Sequence, residues 1–95
     1  MKTLRMTGQF KKDLKRYKNQ KEKLEELAKI LSLLTENKEI PLRYNPHHLS
    51  GDYKDCMECH IQGDFLLIWI DEQNDTVGLL RLGTHSELFG KGAKK

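Results

Sequence analysis

The sequence has no apolar run long enough to cross a bilayer. Its longest, Phe65-Leu66-Leu67-Ile68-Trp69-Ile70, is strand length, whereas a spanning helix needs about 18 to 20 such residues, so a soluble protein with no membrane partner is expected. The start, Met1-Lys2-Thr3-Leu4-Arg5-Met6, lacks an apolar h-region and a small-residue cleavage site, which makes the cytoplasm the expected location. A glycine-rich phosphate loop, a serine elbow and an EF-hand pattern are all missing, and so is the basis for the chemistry each supports. There is no internal repeat, and no low-complexity segment beyond the Gly/Lys tail, Gly90 to Lys95. The length, 95 residues, leaves no room for a second core, so one domain over 1–95 is expected. With 37% hydrophobic and 33% charged residues, that domain can bury one small core, which excludes whole-chain disorder.

What is present is unevenly charged. Net charge is +3, yet residues 1–30 hold ten Lys/Arg against four Asp/Glu, and residues 45–95 hold five against eight. A basic block of this kind binds polyanions, either nucleic acid or an acidic protein segment, and composition leaves both open.

Leu4 and Met6 alternate with Arg5 as in a brief strand that Thr7-Gly8 breaks. Phe10, Leu14 and Tyr17 form an apolar helical stripe whose other faces carry Lys11, Lys12, Lys15, Arg16 and Lys18. Leu24, Leu27, Ile30, Leu31 and Leu34 mark a second helix to about Asn37. The apolar pattern lasts under two heptads before Pro41, so the pair is expected to cover a sheet rather than form a coiled coil. Pro41 to Asp55 is expected to be a connector. Strands follow at about Cys56–Ile61, Phe65–Asp71 and Val77–Leu82, with separators short enough for antiparallel hairpins. The middle run is apolar on both faces, which makes it the central strand, covered by helices on one side and partly by C-terminal residues on the other. The expected fold is α+β: an N-terminal helical hairpin on a small, mainly antiparallel sheet of about four strands.

Cys56-Met57-Glu58-Cys59-His60 fits the spacing of haem attachment, a redox pair or half a zinc site. Haem attachment needs export, redox pairs open helices, and zinc needs a second ligand pair. On a strand, positions three apart face opposite ways, so packing is the better role for these thiols. By the same parity Glu58 and His60 share one face, turned away from the helices. Arg81, inside Leu79-Leu80-Arg81-Leu82, requires an anionic partner: Asp64, Glu58 or a substrate phosphate. His47, His48, His60 and His85 lie in loops or at strand ends without the spacing of a helical metal pair. Asn74-Asp75-Thr76 is a glycosylation sequon only in an exported protein and reads as a turn.

The strings His48-Leu49-Ser50-Gly51, Cys59-His60-Ile61-Gln62-Gly63-Asp64-Phe65 and Arg81-Leu82-Gly83-Thr84-His85-Ser86-Glu87-Leu88-Phe89 together resemble the YafQ branch of the RelE/ParE toxin superfamily. The resemblance implies a toxin of a toxin–antitoxin pair: a metal- and cofactor-independent endoribonuclease that cuts messenger RNA, typically on the ribosome, and is inhibited by a cognate antitoxin. The family's functional positions fall on His47 or the adjacent His48, with His47 favoured, and on His60, Asp64, Arg81, His85 and Phe89. For cleavage by the RNA's own 2′-hydroxyl, the roles expected are His60 with Asp64 near that hydroxyl, His85 as general acid, Arg81 on the phosphoryl charge, Phe89 stacked on a base or fixing the neighbouring nucleotide, and His47 on phosphate or sharing the proton work. Lys11, Lys12, Lys15, Arg16 and Lys18 would meet RNA, the ribosome or an acidic antitoxin segment. The alternatives are a non-cleaving gyrase inhibitor of the same superfamily and a non-catalytic RNA-binding module.

Overall fold

The computed structural model describes residues 1–90, so the Gly/Lys tail from residue 91 onward lies outside the described residues. In chain order the elements are β1 (Thr3–Met6), α1 (Gly8–Arg16), α2 (Lys21–Thr35), β2 (His47–His48), β3 (Met57–Gln62), β4 (Phe65–Glu72), β5 (Thr76–Gly83) and α3 (His85–Phe89). Short 3-10 turns lie at Leu42–Tyr44 and Gly51–Tyr53.

Thr7 sets the first corner. Its hydroxyl oxygen accepts from the Phe10 amide at 3.1 Å, capping α1, and donates to the Leu79 carbonyl at 2.9 Å, so the start of α1 is tied to β5. The stripe of Phe10 and Tyr17 is buried, and Lys15 and Arg16 fall in the last turn, where cations favour the helix dipole. α2 buries Leu27, Ile30 and Leu34. It ends as Asn37 enters the left-handed region (φ 58°) while the Lys38 amide reaches back to the Leu33 carbonyl at 2.9 Å. The principal partner of α1 is β5 and that of α2 is β3. The expected hairpin is therefore two helices, each docked on its own strand.

The sheet corrects the expected count of about four strands. It has five, in the order β1-β5-β4-β3-β2, and it is mixed: β1 runs parallel to β5, with Thr3 opposite Thr76, while the other pairings are antiparallel. The additional strand is β2, inside the segment read as a connector, where His47 pairs with Glu58 and His48 with Met57. Two residues are too few to show a period of two. α3 was also absent from the expected elements. It is a single turn and a half closed by a capping box, Thr84 accepting from the Glu87 amide while the Glu87 carboxylate accepts from the Thr84 amide.

β4 occupies the centre as its two apolar faces predict. Phe65, Leu67 and Trp69 join Phe10, Ile30 and Leu82 beneath the helices, while Leu66 and Ile68 join Cys56 and Leu88 on the opposite face. Cys56 and Cys59 are free, buried, and divided between these two clusters, so they form neither a disulfide nor a shared ligand pair. A bulge sets Arg81 opposite Ile68 but Leu79 opposite Trp69. As a result Leu79 and Leu82, three apart, both enter the helix-side core.

Candidate active site

On the face away from the helices, the β3–β4 turn, the start of α3 and the tiny strand β2 bring imidazoles together. The turn is Gly63-Asp64, with Gly63 at φ 58°. Asp64 Oδ1 accepts from the His85 backbone N–H at 3.1 Å and lies 2.5 Å from His85 Nδ1. Its carboxyl is held below the ordinary carboxylate range, first by that backbone N–H; slight burial opposes the shift, and the His85 side chain reinforces it. Asp64 was expected to assist His60; its direct partner here is His85.

Rings then follow one another: His47 to His60 at 6.0 Å between centroids, His60 to His85 at 5.7 Å, and His85 to Phe89 at 6.2 Å. Tyr53 meets Phe89 edge-on at 5.7 Å. Beneath the histidines lies Glu58, fully buried, with Oε1 3.1 Å from His47 Nε2 and 3.9 Å from His60 Nε2. His47 Nδ1 is 2.7 Å from the Asn45 carbonyl, which can only accept, so Nδ1 carries a hydrogen. His48 faces the other way, beside Leu34, Met57 and Trp69, so of the adjacent pair it is His47 that joins this group.

Arg81 has a partner that the sequence reading did not name. Its Nε lies 2.8 Å from Asp13 Oδ2 and its Nη2 3.3 Å from Asp13 Oδ1, in place of the expected Asp64 or Glu58. Asp13 is fully buried in α1 and also accepts from the Leu82 amide at 2.9 Å and from Gln9 Nε2 at 3.1 Å. Burial alone would raise its carboxyl, but Arg81, the Leu82 amide and Gln9 together bring it below the usual range. The Asp13 bond raises the Arg81 guanidinium further above its already high value, and Tyr53 adds to this.

α1 also reaches α3. The buried Tyr17 hydroxyl donates to Glu87 Oε1, the same oxygen that closes the capping box, and Arg16 Nη1 lies 3.5 Å from Glu87 Oε2. Gly83 makes room for this, since a Cβ there would meet Glu87 Oε1 at 2.5 Å on a backbone with φ 154°. Lys11, Lys12, Lys15, Arg16 and Lys18 are all exposed.

Glu58, His60 and His85 offer ligand atoms within 4.8 Å of one another, a set able to hold a metal ion. Asp13, Glu58 as a site carboxylate, and Tyr53 were not among the residues expected at the site. The parity that put Glu58 on the face of His60 was the available signal for the second; Asp13, alone among lysines on a predicted helix, gave none.

The family model described as the bacterial toxin of type II toxin-antitoxin systems, YafQ, matches residues 2–90. The mRNA interferase toxin YafQ of Escherichia coli (strain K12) is 31% identical over 85 residues, 88% of this chain and 91% of that protein. A metal-bound toxin from Helicobacter pylori is 37% identical, with a TM-score of 0.84 over 94% of this chain and all of that one (100%). The toxin of the E. coli DinJ-YafQ complex is 28% identical, with a TM-score of 0.82 over 95% of this chain and 100% of that one. Fold and sequence together define a toxin of the bacterial type II toxin–antitoxin class. Within that class the chain belongs to the YafQ family.

Proposed function

We propose that this chain is a cytoplasmic endoribonuclease that cuts messenger RNA without a metal or other cofactor, acts as one domain over 1–95, and is silenced by a cognate antitoxin. The observation that carries the proposal is the line of three imidazoles with a carboxylate at each end: Glu58 beside His47 and His60, and Asp64 on His85. Proton transfer both to and from RNA needs such a set, and histidine changes charge nearest neutral pH. The relatives named as mRNA interferase and as a complex with DinJ give the substrate and the class of partner.

In this scheme His60 takes the 2′-hydroxyl proton, and the oxygen so freed bonds to the adjacent phosphorus. Glu58, 3.9 Å from His60 Nε2, faces the imidazolium that forms on His60, and Asp64 feels the same charge. The P–O5′ bond breaks as His85 protonates the leaving oxygen, with Asp64 fixing the ring so that Nε2 does the chemistry. Arg81 stabilises the charge on the phosphoryl oxygens, Phe89 stacks on a base or fixes the neighbouring nucleotide, and His47 holds phosphate or shares the proton work. The products are a 2′,3′-cyclic phosphate and a 5′-hydroxyl. Lys11, Lys12, Lys15, Arg16 and Lys18 neutralise RNA phosphates on the ribosome during translation, or pair with acidic side chains of the antitoxin.

A transition metal at Glu58, His60 and His85 would occupy the lone pairs this reaction uses, so a metal inhibits rather than activates. A relative from H. pylori is itself named as a metal-bound toxin. Primer extension on a translated messenger, with and without ribosomes, tests the scheme. New 5′ ends that persist in EDTA, vanish in His85→Ala and fall with added Zn²⁺ or Cu²⁺ are expected. No cleavage by folded wild-type protein under any of these conditions would favour a non-cleaving inhibitor or an RNA-binding module.

A further inference from the structure

We infer that Asp13, on a helix outside the ring of histidines, is a positioning residue for the reaction, holding Arg81 in the pose that receives the phosphoryl charge. This rests on the ribonuclease reading and extends it to a residue to which no role in the reaction is yet assigned. Asp13 is the one acid in α1 and its side chain is fully buried, although a lone carboxylate there would be costly to desolvate. Four donors offset that cost: Arg81 Nε at 2.8 Å, the Leu82 amide at 2.9 Å, Gln9 Nε2 at 3.1 Å and Arg81 Nη2 at 3.3 Å. They match the roughly four lone-pair sites of a carboxylate.

The geometry distinguishes orientation from mere packing. Asp13 grips the guanidinium side-on through Nε and Nη2, which fixes the last side-chain torsions and directs the Nη1 edge away from the carboxylate. The Leu82 amide, accepted by the same oxygen, follows directly on the β5 bulge, so one carboxylate sets both the arginine and the backbone that carries it. Its negative charge also offsets part of the attraction of Arg81 for phosphate in the ground state. Asp13 therefore serves a fixed donor geometry and not substrate affinity.

The test is Asp13→Asn in the full-length chain, with cleavage kinetics on a ribosome-bound messenger and folding checked by circular dichroism. The amide still accepts from Leu82 but no longer holds a cation. Expected are a fall of about 10- to 100-fold in kcat with KM unchanged or lower, and no additional loss when Asp13→Asn is added to Arg81→Ala. Equal losses in both backgrounds, or wild-type kcat in Asp13→Asn, would overturn the inference while leaving the ribonuclease reading intact. Absence of cleavage by the wild type would remove both. If Asp13→Asn does not fold, the Arg81 Nε–H resonance of the wild type decides: slow exchange supports a gripped guanidinium, and exchange as fast as in free arginine overturns it.

Discussion

A single oxygen, Asp64 Oδ1, holds His85 twice, by its backbone and by its ring. Because these contacts depress the carboxyl, the stability they give is complete above the unfolded carboxyl value of about 4 and is lost as pH falls through the lower folded one. Asp64→Asn is expected to flatten the acid limb of a stability-against-pH curve and to slow cleavage, checked by urea melts at stepped pH alongside the kinetics. The cysteines lead to the opposite expectation. Burial pushes the Cys59 thiol up to about 12 and raises Cys56 as well, so neither supplies thiolate at neutral pH. Native protein should react slowly with a thiol reagent, and Cys56→Ala should leave cleavage unchanged. At this scale the histidines and Arg81 were legible as chemistry from their residue types and the family strings. His47 was favoured over His48 without any periodicity to support it, since the choice depends on which face a two-residue strand turns to the site. The partner of Arg81 was equally hidden, because a bulge breaks the alternation from which a strand face is read.

Among the elements, β3, β4 and β5 were visible as alternating or doubly apolar runs bounded by turn residues, and α1 and α2 as apolar stripes. α3 was overlooked although Thr84-His85-Ser86-Glu87 has the spacing of a capping box. Five residues carry too little periodicity to announce a helix, so the cap was the one available cue. The cap makes α3 testable. Thr84→Ala should cost about 1 kcal/mol. Gly83→Ala, which would collide with Glu87 and strain a positive-φ backbone, should cost at least as much, about 1 kcal/mol or more. Denaturant melts measure both, and hydrogen exchange confined to the α3 amides would show the loss to be local.

At the scale of the molecule, the unequal charge distribution read from composition has a definite location: the exposed lysines of α1 stand on the same helix whose buried side grips Arg81 and, through Tyr17, α3. Reversing Lys12 and Lys15 to Glu should weaken RNA or antitoxin binding and lower its salt dependence, with the thermal melt little changed; binding titrations at several salt concentrations would measure this. What composition could not give is the parallel pairing of β1 with β5, a contact between residues 3–6 and 76–79 that has no local sequence signature.

That pairing fixes the order in which a newly made chain can become dangerous. Until β5 has been synthesised, β1 has no edge to join, the Phe10 face of α1 has no floor, and Asp13 has no cation. A chain stopped at Asp75 should show no cooperative melt. Assembly of the cutting surface is therefore deferred until β5 and α3 have been made.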